Sequence, residues 1–153
     1  MPRLAKVNLV GVLIAAIVIY FLGFIWYGLL FSEPYMNGVG IFFNEAGDSI
    51  SLLTADGLQN RSMEEAEPLW MLGGFVIPLV LAFGLGWHMQ QRQVRTLGAA
   101  AMFGLWLSLL IGVPLMAYDL IYTPWHSVPG FLTDASHTVV TFVAGCIVMS
   151  FFN

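Results

Sequence analysis

The chain has 153 residues, of which 59% are hydrophobic and 9% are charged. Soluble globular proteins contain about 25% charged residues, so this composition excludes an ordinary water-soluble domain. The length predicts a single domain over residues 1–153. The net charge of −4 comes with no basic patch, and we expect no nucleic-acid partner.

Long apolar segments dominate the chain. About 20 residues are needed for a helix to cross roughly 30 Å of hydrocarbon. The segments are apolar around their whole circumference, which is typical of helices surrounded by lipid or by one another. The sequence therefore predicts an all-α membrane protein, a four-transmembrane-helix bundle with helices at about residues 7–31, 69–88, 97–118 and 134–152.

The first segment follows two basic residues, as the core of a signal peptide does. A signal-peptide core has about 7 to 15 apolar residues before a small-residue cleavage site. This segment instead continues to Trp26 and Tyr27. We predict an uncleaved anchor.

Residues 32–68 form the longest connection and contain seven of the nine acidic residues. The apolar residues 39–43 predict contact with a membrane surface. Residues 62–65 have the spacing of a capping box, which predicts a helix start. We expect a long acidic outer loop that packs on helix ends or on a partner.

The charged residues are sorted between the two sides of the predicted bundle. Every acidic residue lies in the connection 32–68 or at the outer ends of the last two helices. The opposite connections carry four of the five Lys and Arg residues: Arg3, Lys6, Arg92 and Arg95. Because cytoplasmic loops are enriched in Lys and Arg, both termini are predicted to be cytoplasmic and the acidic loops to lie outside.

The second helix contains an unusual number of residues that weaken helices. Pro78 lies near its middle, and four glycines accompany it: Gly73, Gly74, Gly84 and Gly86. One interpretation is a broken helix that lines a transport site. The other is an ordinary proline kink with glycines for close packing.

Small residues recur at intervals of four along the third helix, and small or polar residues share a face of the fourth. Residues spaced by three or four lie on one helix face, where they permit close approach of a neighbour. The sequence therefore predicts helix-packing roles for Ala100, Gly104, Ser108, Gly112, Thr141 and Gly145.

Four residues near the outer ends of the last two helices form a candidate metal site, because imidazole and carboxylate groups bind zinc and similar ions: Asp119, His126, Asp134 and His137. His137 is also a candidate ligand of a haem or other pigment. The alternative makes Asp134 the N-cap of the fourth helix and His137 a hydrogen-bonding bundle residue. No cofactor is predicted, and contact with lipid or a pigment stays open.

Catalytic residues are not predicted. No Ser, Cys or Lys nucleophile lies beside a base in a readable motif, so we expect no enzymatic activity. The predicted helices also place no ionisable group near mid-depth, which argues against an ion or proton pathway.

Two stretches of sequence carry a resemblance to a known family. One comprises Val7–Asn8, residues 23–28, Phe31 and Pro34, and the other comprises residues 131–137 with Gly145 further on. They resemble the first and last helices of an uncharacterised bacterial membrane-protein family, domain of unknown function 1761. The motif residues are Gly23, Trp26, Tyr27, Asp134 and His137. The resemblance implies a small four-helix bundle in a bacterial membrane, and it implies no activity. Combined with the charge sorting, it predicts a multi-pass protein of the bacterial inner membrane with its acidic loops on the periplasmic side.

These observations favour a non-enzymatic membrane protein that acts through assembly, as a homo-oligomer or as an accessory subunit of a larger membrane complex. Its expected partners are membrane lipid and other membrane subunits or further copies of itself. One alternative is a small transporter or permeability factor for a neutral or hydrophobic molecule. The other is a pigment-, haem- or metal-binding membrane protein.

The predicted orientation is testable by cysteine labelling, because Cys146 is the chain's single cysteine. In a Cys146→Ala background, a membrane-impermeant maleimide added to intact bacterial spheroplasts should label Asn60→Cys and spare Gln93→Cys. Permeabilised spheroplasts should label both. The reverse pattern in intact spheroplasts would overturn the orientation.

Overall fold

The computed structural model describes residues 2–44, 49–62, 68–123 and 126–152. It confirms the prediction of four helices long and apolar enough to cross a membrane. Their apolar spans are Leu9–Leu30, Leu72–Gln91, Leu97–Tyr122 and Val128–Ser150.

Two of the four spans contain π-helical segments. Helix α1 (Leu9–Gly23) continues as a π-helix over Phe24–Leu30, which we call the first π segment. A short helix, α2 (Ser32–Gly38), follows. The second span is helix α3 (Pro68–Gln91). The third span comprises α4 (Leu97–Leu107), a π segment (Ser108–Gly112) and α5 (Val113–Tyr122), and the fourth is α6 (Val128–Ser150).

Polar side chains cap the N-termini of α1, α4 and α6; the cap of α6, Ser127, is described below. The Asn8 side-chain oxygen accepts hydrogen bonds from the amides of Val10 and Gly11, at 3.0 and 3.4 Å. Thr96 accepts from the amide of Ala99 at 3.3 Å. Such caps satisfy amides that have no partner within the helix.

The prediction of an all-α protein is wrong for residues 32–68, which contain strands as well as α2. Strands β3 (Ile41–Phe43), β4 (Ser49–Thr54) and β5 (Gly57–Ser62) form an antiparallel sheet in the order β3-β4-β5. The Asp56-Gly57 pair favours the tight turn between β4 and β5, since Gly57 has φ +102°. A two-stranded hairpin of β1 (Arg3–Leu4) and β2 (Val7–Asn8) precedes α1.

Strand β3 includes three of the residues predicted to lie on a membrane surface. Most of the predicted capping box at 62–65 lies outside the described residues, because it requires residues 63–65.

The predicted start of the fourth helix at residue 134 is wrong. The helix begins at Val128, because the Ser127 hydroxyl accepts a hydrogen bond from the Gly130 amide at 3.1 Å and a proline occupies the first turn. At about 1.5 Å per residue, Asp134 lies about 9 Å and His137 about 14 Å from the helix start. His137 is therefore an ionisable residue near the middle of the fourth apolar span, Val128–Ser150, where none was expected.

Helix α6 lies at the centre of the fold and contacts α1, α2, α3, α4 and α5. It meets the third span through glycines. A Cβ atom on Gly104 would lie 2.6 Å from the Phe142 carbonyl oxygen, and one on Gly112 would lie 2.7 Å from Thr138 Cγ2. These distances leave no room for a side chain at either glycine.

The other residues predicted to pack helices also lie inside the bundle. Ala100 and Ser108 are fully buried, and the Ser108 hydroxyl donates to the Leu105 carbonyl at 2.8 Å. A Cβ on Gly145 would lie 3.1 Å from Ile19 and 3.0 Å from Leu85, so this glycine faces α1 and α3. Thr141 is buried beside the site described below.

The bundle has two distinct ends. The end with Arg3, Lys6 and the connection from α3 to α4 is called the basic end, and its buried residues include Val7, Met89 and Met149. The end that carries α2 and the three-stranded sheet is called the sheet end. Helix α2 packs there on the start of α6, where a Cβ on Gly38 would lie 2.8 Å from the Gly130 Cα.

Candidate functional site

A cavity of about 940 Å³ lies between the first span, α3 and α6. Its walls are mostly apolar and aromatic, with a group of polar side chains on α6. The lining residues are Ile19, Tyr20, Phe21, Gly23, Phe24, Tyr27, Tyr35, Gly74, Ile77, Pro78, Leu81, His137, Thr138, Thr141 and Phe142.

The first π segment supplies two aromatic residues that bond to α6. The Trp26 indole nitrogen donates to the Ser136 hydroxyl at 3.0 Å, and the Tyr27 hydroxyl lies 3.0 Å from His137 Nδ1. A π-helix has i→i+5 hydrogen bonds and occurs often at functional sites. Here it places adjacent residues, 26 and 27, where both reach the same face of α6.

His137 is held at both ring nitrogens. Its Nδ1 faces Tyr27, and its Nε2 lies 3.2 Å from the Thr141 hydroxyl, one turn further along α6. The Tyr27 and His137 rings are 4.6 Å apart between centroids. Gly23 lies beside this pair, since a Cβ there would be 3.6 Å from Nε2.

Asp134 extends the polar group toward the sheet end. Its carboxyl group lies close to the Tyr27 phenol and interacts with it electrostatically. On its other side, His126 Nε2 lies 3.9 Å from Oδ2, and both side chains are largely buried. We call Asp134, Tyr27, His137 and Thr141 the polar network.

Tyr35 completes the aromatic wall of the cavity next to the network. Its ring lies 4.2 Å from that of Tyr27 between centroids. Burial, with a smaller contribution from the negative charge of Asp134, raises the pKa of Tyr35 above its usual range. The phenol therefore stays protonated at neutral pH. The close contact between α2 and α6 at Gly38 fixes this position.

The structure does not bring the four candidate metal ligands together around one point. His126 and Asp134 are neighbours, but Nδ1 and Nε2 of His137 face hydroxyl groups. Within the described ranges, no group of three His, Cys, Asp or Glu side chains has metal-binding geometry. The predicted role of Asp134 as an N-cap is also wrong, because Ser127 caps α6.

The residues that carry the family resemblance meet at one place. Gly23, Tyr27 and His137 line the cavity, Trp26 donates to Ser136 next to His137, and Asp134 lies near Tyr27. The sequence interpretation did not identify Tyr35 or Thr138 as site residues, and it named Gly74 only as one of the glycines in the second helix. Tyr35 directly follows the motif residue Pro34, and Gly74 precedes Pro78 by one helical turn, so both had a local signal. Thr138 had none beyond its place on the polar face of α6.

A family model described as a protein of unknown function (DUF1761) matches residues 10–150, so the resemblance found in the sequence is confirmed. Searches of curated proteins and of solved structures give no significant match.

Removal of the Tyr27 hydroxyl should destabilise the protein, because His137 Nδ1 loses its part-buried hydrogen-bond partner. We expect Tyr27→Phe to lower the free energy of unfolding by about 1–3 kcal/mol, measured as a lower midpoint of thermal unfolding in detergent. Tyr122→Phe is the matched control, since Tyr122 is 73% exposed. Equal midpoints for the two variants would contradict the network.

Proposed function

The chain belongs to DUF1761, a family of proteins of unknown function, and we propose that it binds a neutral lipophilic molecule in the cavity between the first span, α3 and α6. This corresponds to a small transporter or permeability factor without enzymatic activity. The observation that carries the proposal is a large apolar cavity with a polar network on one wall. Ligand pockets typically combine apolar walls with a few placed polar groups.

The charges around the cavity support a neutral molecule. None of the described lining residues is Lys or Arg, so an anionic head group would have no counter-charge there. A cationic group would lose its hydration in a mostly apolar cavity, which is costly. Asp134 lies behind Tyr27 and is not a lining residue.

The exposure of the cavity walls supports entry from the surrounding lipid. Phe21 and Phe24 are each 60% exposed and Ile77 is 69% exposed, and all three line the cavity. Lipid chains contact such surfaces without a hydration cost. A lipophilic molecule can therefore pass sideways between the first span and α3.

Helix α3 supplies a structural reason for movement. Pro78 lies inside it and lines the cavity together with Gly74. Proline lacks the amide hydrogen that would bond to residue 74, so this part of the helix has one backbone bond fewer to resist bending. Bending here changes the width of the cavity.

The proposed location is the inner membrane of a bacterium. The charge sorting supports cytoplasmic termini, with the basic end toward the cytoplasm and the sheet end toward the periplasm. The cavity then opens in the outer half of the bilayer, because its polar network lies nearer the sheet end. A pigment is one member of the proposed ligand class, whereas the described lining residues contain no second histidine that could ligate a haem together with His137.

Filling the cavity should remove the bound molecule. In Gly74→Phe the new ring projects into the cavity, since a Cβ there has only an ordinary contact with Tyr20, at 3.8 Å. Neutral lipids that copurify in mild detergent are extracted and quantified by mass spectrometry. We expect about tenfold less of the bound species, equivalent to about 1.4 kcal/mol of overpacking.

Gly73→Phe is the matched control, because Gly73 does not line the cavity and has open space around it. It should retain the wild-type amount of bound lipid. A wild-type protein without a copurifying neutral molecule, or equal amounts in the two variants, would contradict the proposal.

We propose assembly as a second function, as a homo-oligomer or as an accessory subunit of a larger membrane complex. The observation in its favour is that the rest of the protein covers the third span least. Of an apolar 18-residue stretch, 17% is buried in the third span and 28% in each of the other three spans. Its uncovered side chains include Leu110, Leu115, Ile121 and Tyr122. The small residues Gly104 and Gly112 of the third span face α6. The surface that remains for another subunit is therefore the large apolar face.

Native mass spectrometry in mild detergent tests assembly. Complexes containing a second copy or another membrane subunit should be lost in Leu110→Trp and kept in Val80→Trp, because both residues are similarly exposed, at 68% and 67%, on different spans. A dispersed monomer with no partner in the wild type would contradict assembly.

A further inference from the structure

We propose that the molecule bound in the cavity is a compact lipophile with a planar aromatic ring, rather than an extended acyl chain. This inference rests on the proposed binding function and names the chemical class of its ligand. Two observations carry it: the dimensions of the cavity and the concentration of aromatic side chains in its walls.

The cavity is short along the helix axes. Its described lining residues fall within residues 19–27 on the first span, 74–81 on α3 and 137–142 on α6. At about 1.5 Å per residue, these stretches are about 8 to 12 Å long. The hydrocarbon core of a bilayer is about 30 Å thick, so the cavity extends through less than half of it.

The cavity is wide for this length. Its volume of about 940 Å³ over a length of about 12 Å corresponds to a mean cross-section of roughly 80 Å². An extended hydrocarbon chain has a cross-section of only roughly 16 Å², because carbon atoms in contact lie about 3.5–4.0 Å apart. One such chain would leave most of the walls without contacts. A lipid with several long chains would match the width but extend far beyond the cavity. A compact ring system fits both dimensions.

Aromatic side chains are concentrated in the cavity walls. Six of the fifteen described lining residues are Phe or Tyr, whereas Phe, Tyr and Trp make up 14% of the chain. Phe21 and Phe24 are exposed, as aromatic residues that contact lipid are. The other four are half-buried and come from the first span, α2 and α6: Tyr20, Tyr27, Tyr35 and Phe142. Aromatic surface therefore faces the cavity from three elements, which a row of membrane-interface residues on one helix end would not produce.

Contacts with further rings hold these walls in place. The Tyr27 ring lies 4.2 Å from the Tyr35 ring and 4.6 Å from the His137 ring between centroids, at interplanar angles of 43° and 55°. Tyr20 makes an edge contact with Phe75 of α3, at 5.6 Å. Phe75 is not among the described lining residues, so it supports Tyr20 from outside the cavity. The rings are thus in place before a ligand binds, which lowers the entropy cost of binding.

Such walls discriminate between an aromatic ring and a saturated ring of the same size. An offset-stacked or edge-to-face aromatic contact strengthens binding about twofold to tenfold beyond the effect of the buried area. A saturated ring lacks the π system that produces this gain, and a flexible chain also loses conformational freedom when it binds. The polar network can bond to a neutral polar substituent, and the ring preference does not depend on which atoms of the network carry hydrogen.

The test compares three neutral probes that share the number of carbon atoms and one primary alcohol group: 2-naphthalenemethanol, its fully hydrogenated form and 1-undecanol. Binding to the intact chain in detergent is measured by titration calorimetry. Affinities are expressed relative to the probe concentration in the micelles, measured without protein, so that partitioning is not counted as binding. The aromatic probe should bind about fivefold more tightly than its hydrogenated form. The hydrogenated form should bind more tightly than 1-undecanol.

Removal of two rings from the wall should reduce this preference. In the double variant Tyr20→Leu with Tyr35→Leu, the ratio between the aromatic and hydrogenated probes should fall to about twofold or less. The double variant Tyr118→Leu with Tyr122→Leu is the matched control, because these residues are 61% and 73% exposed and do not line the cavity. It should keep the wild-type ratio. The ratio compares two probes on one protein, so lower stability does not imitate the effect, and an unchanged ratio in the first variant would overturn the inference.

Methyl spectra test where the aromatic probe binds. Ile77 and Ile121 are similarly exposed, at 69% and 72%, and of these two only Ile77 lines the cavity. An aromatic ring shifts the resonances of methyl groups that it contacts, and a saturated ring does so far less. In protein labelled at the isoleucine methyl groups, 2-naphthalenemethanol should shift the Ile77 signal and spare the Ile121 signal, each assigned by its loss in the corresponding Ile→Val variant. Equal shifts would indicate contact through the detergent and overturn the inference.

The outcomes separate this inference from the proposed function. Equal binding of the three probes, abolished for all by Gly74→Phe, would overturn the ring preference and leave the binding cavity in place. Tighter binding of the hydrogenated form or of 1-undecanol than of the aromatic probe would also overturn it. Binding of none of the probes would overturn the inference and count against the cavity as a binding site.

Discussion

The fold depends on satisfying a polar helix face in apolar surroundings. Less than three turns of α6 carry Thr133, Ser136, His137 and Thr141, since a helical turn takes about 3.6 residues. A polar group left unbonded away from water costs several kcal/mol. Each of these side chains has a hydrogen-bond partner on α6 or on the first span. A helix with such a face is stable only when other helices enclose it, which explains why α6 contacts every other helix of the fold.

The first π segment provides the first span's hydrogen bonds to this polar face of α6. A regular α-helix would separate the directions of Trp26 and Tyr27 by about 100°. The wider π turn allows the indole to reach Ser136 while the phenol reaches His137. The third span also contains a π segment, at Ser108–Gly112, and Gly112 there approaches Thr138 of α6. In both spans the irregular turn lies opposite the polar part of α6.

The sequence was sufficient for the parts of the fold that depend on local composition. The four apolar helices follow from hydropathy, and the spacing of Gly104 and Gly112 anticipated a close helix contact. The start of α6 was missed because residues 128–130, Val-Pro-Gly, resemble a turn, although Ser127 with a proline soon after it is also a helix-start signal. Strands β4 and β5 were missed because the acidic composition of the connection indicated a loop. The alternating residues of β4 and the Asp56-Gly57 turn were the local signals for a hairpin.

The cavity could not be predicted from the sequence, because its walls come from the first span, α2, α3 and α6 and no local pattern specifies where these helices separate. Once it is known, the distribution of polar groups determines which kind of function is physically reasonable. From His126 the polar side chains continue through Asp134, Tyr27 and His137 to Thr141. Beyond Thr141, toward the basic end, most of the described buried side chains are apolar, such as Ile19, Leu85 and Met149, and the buried Asn8 caps α1. An ion or proton pathway needs polar groups along its whole length, whereas a binding site needs them only where the head group rests. The described residues have the second arrangement, which agrees with the proposed ligand pocket rather than with a conduction path.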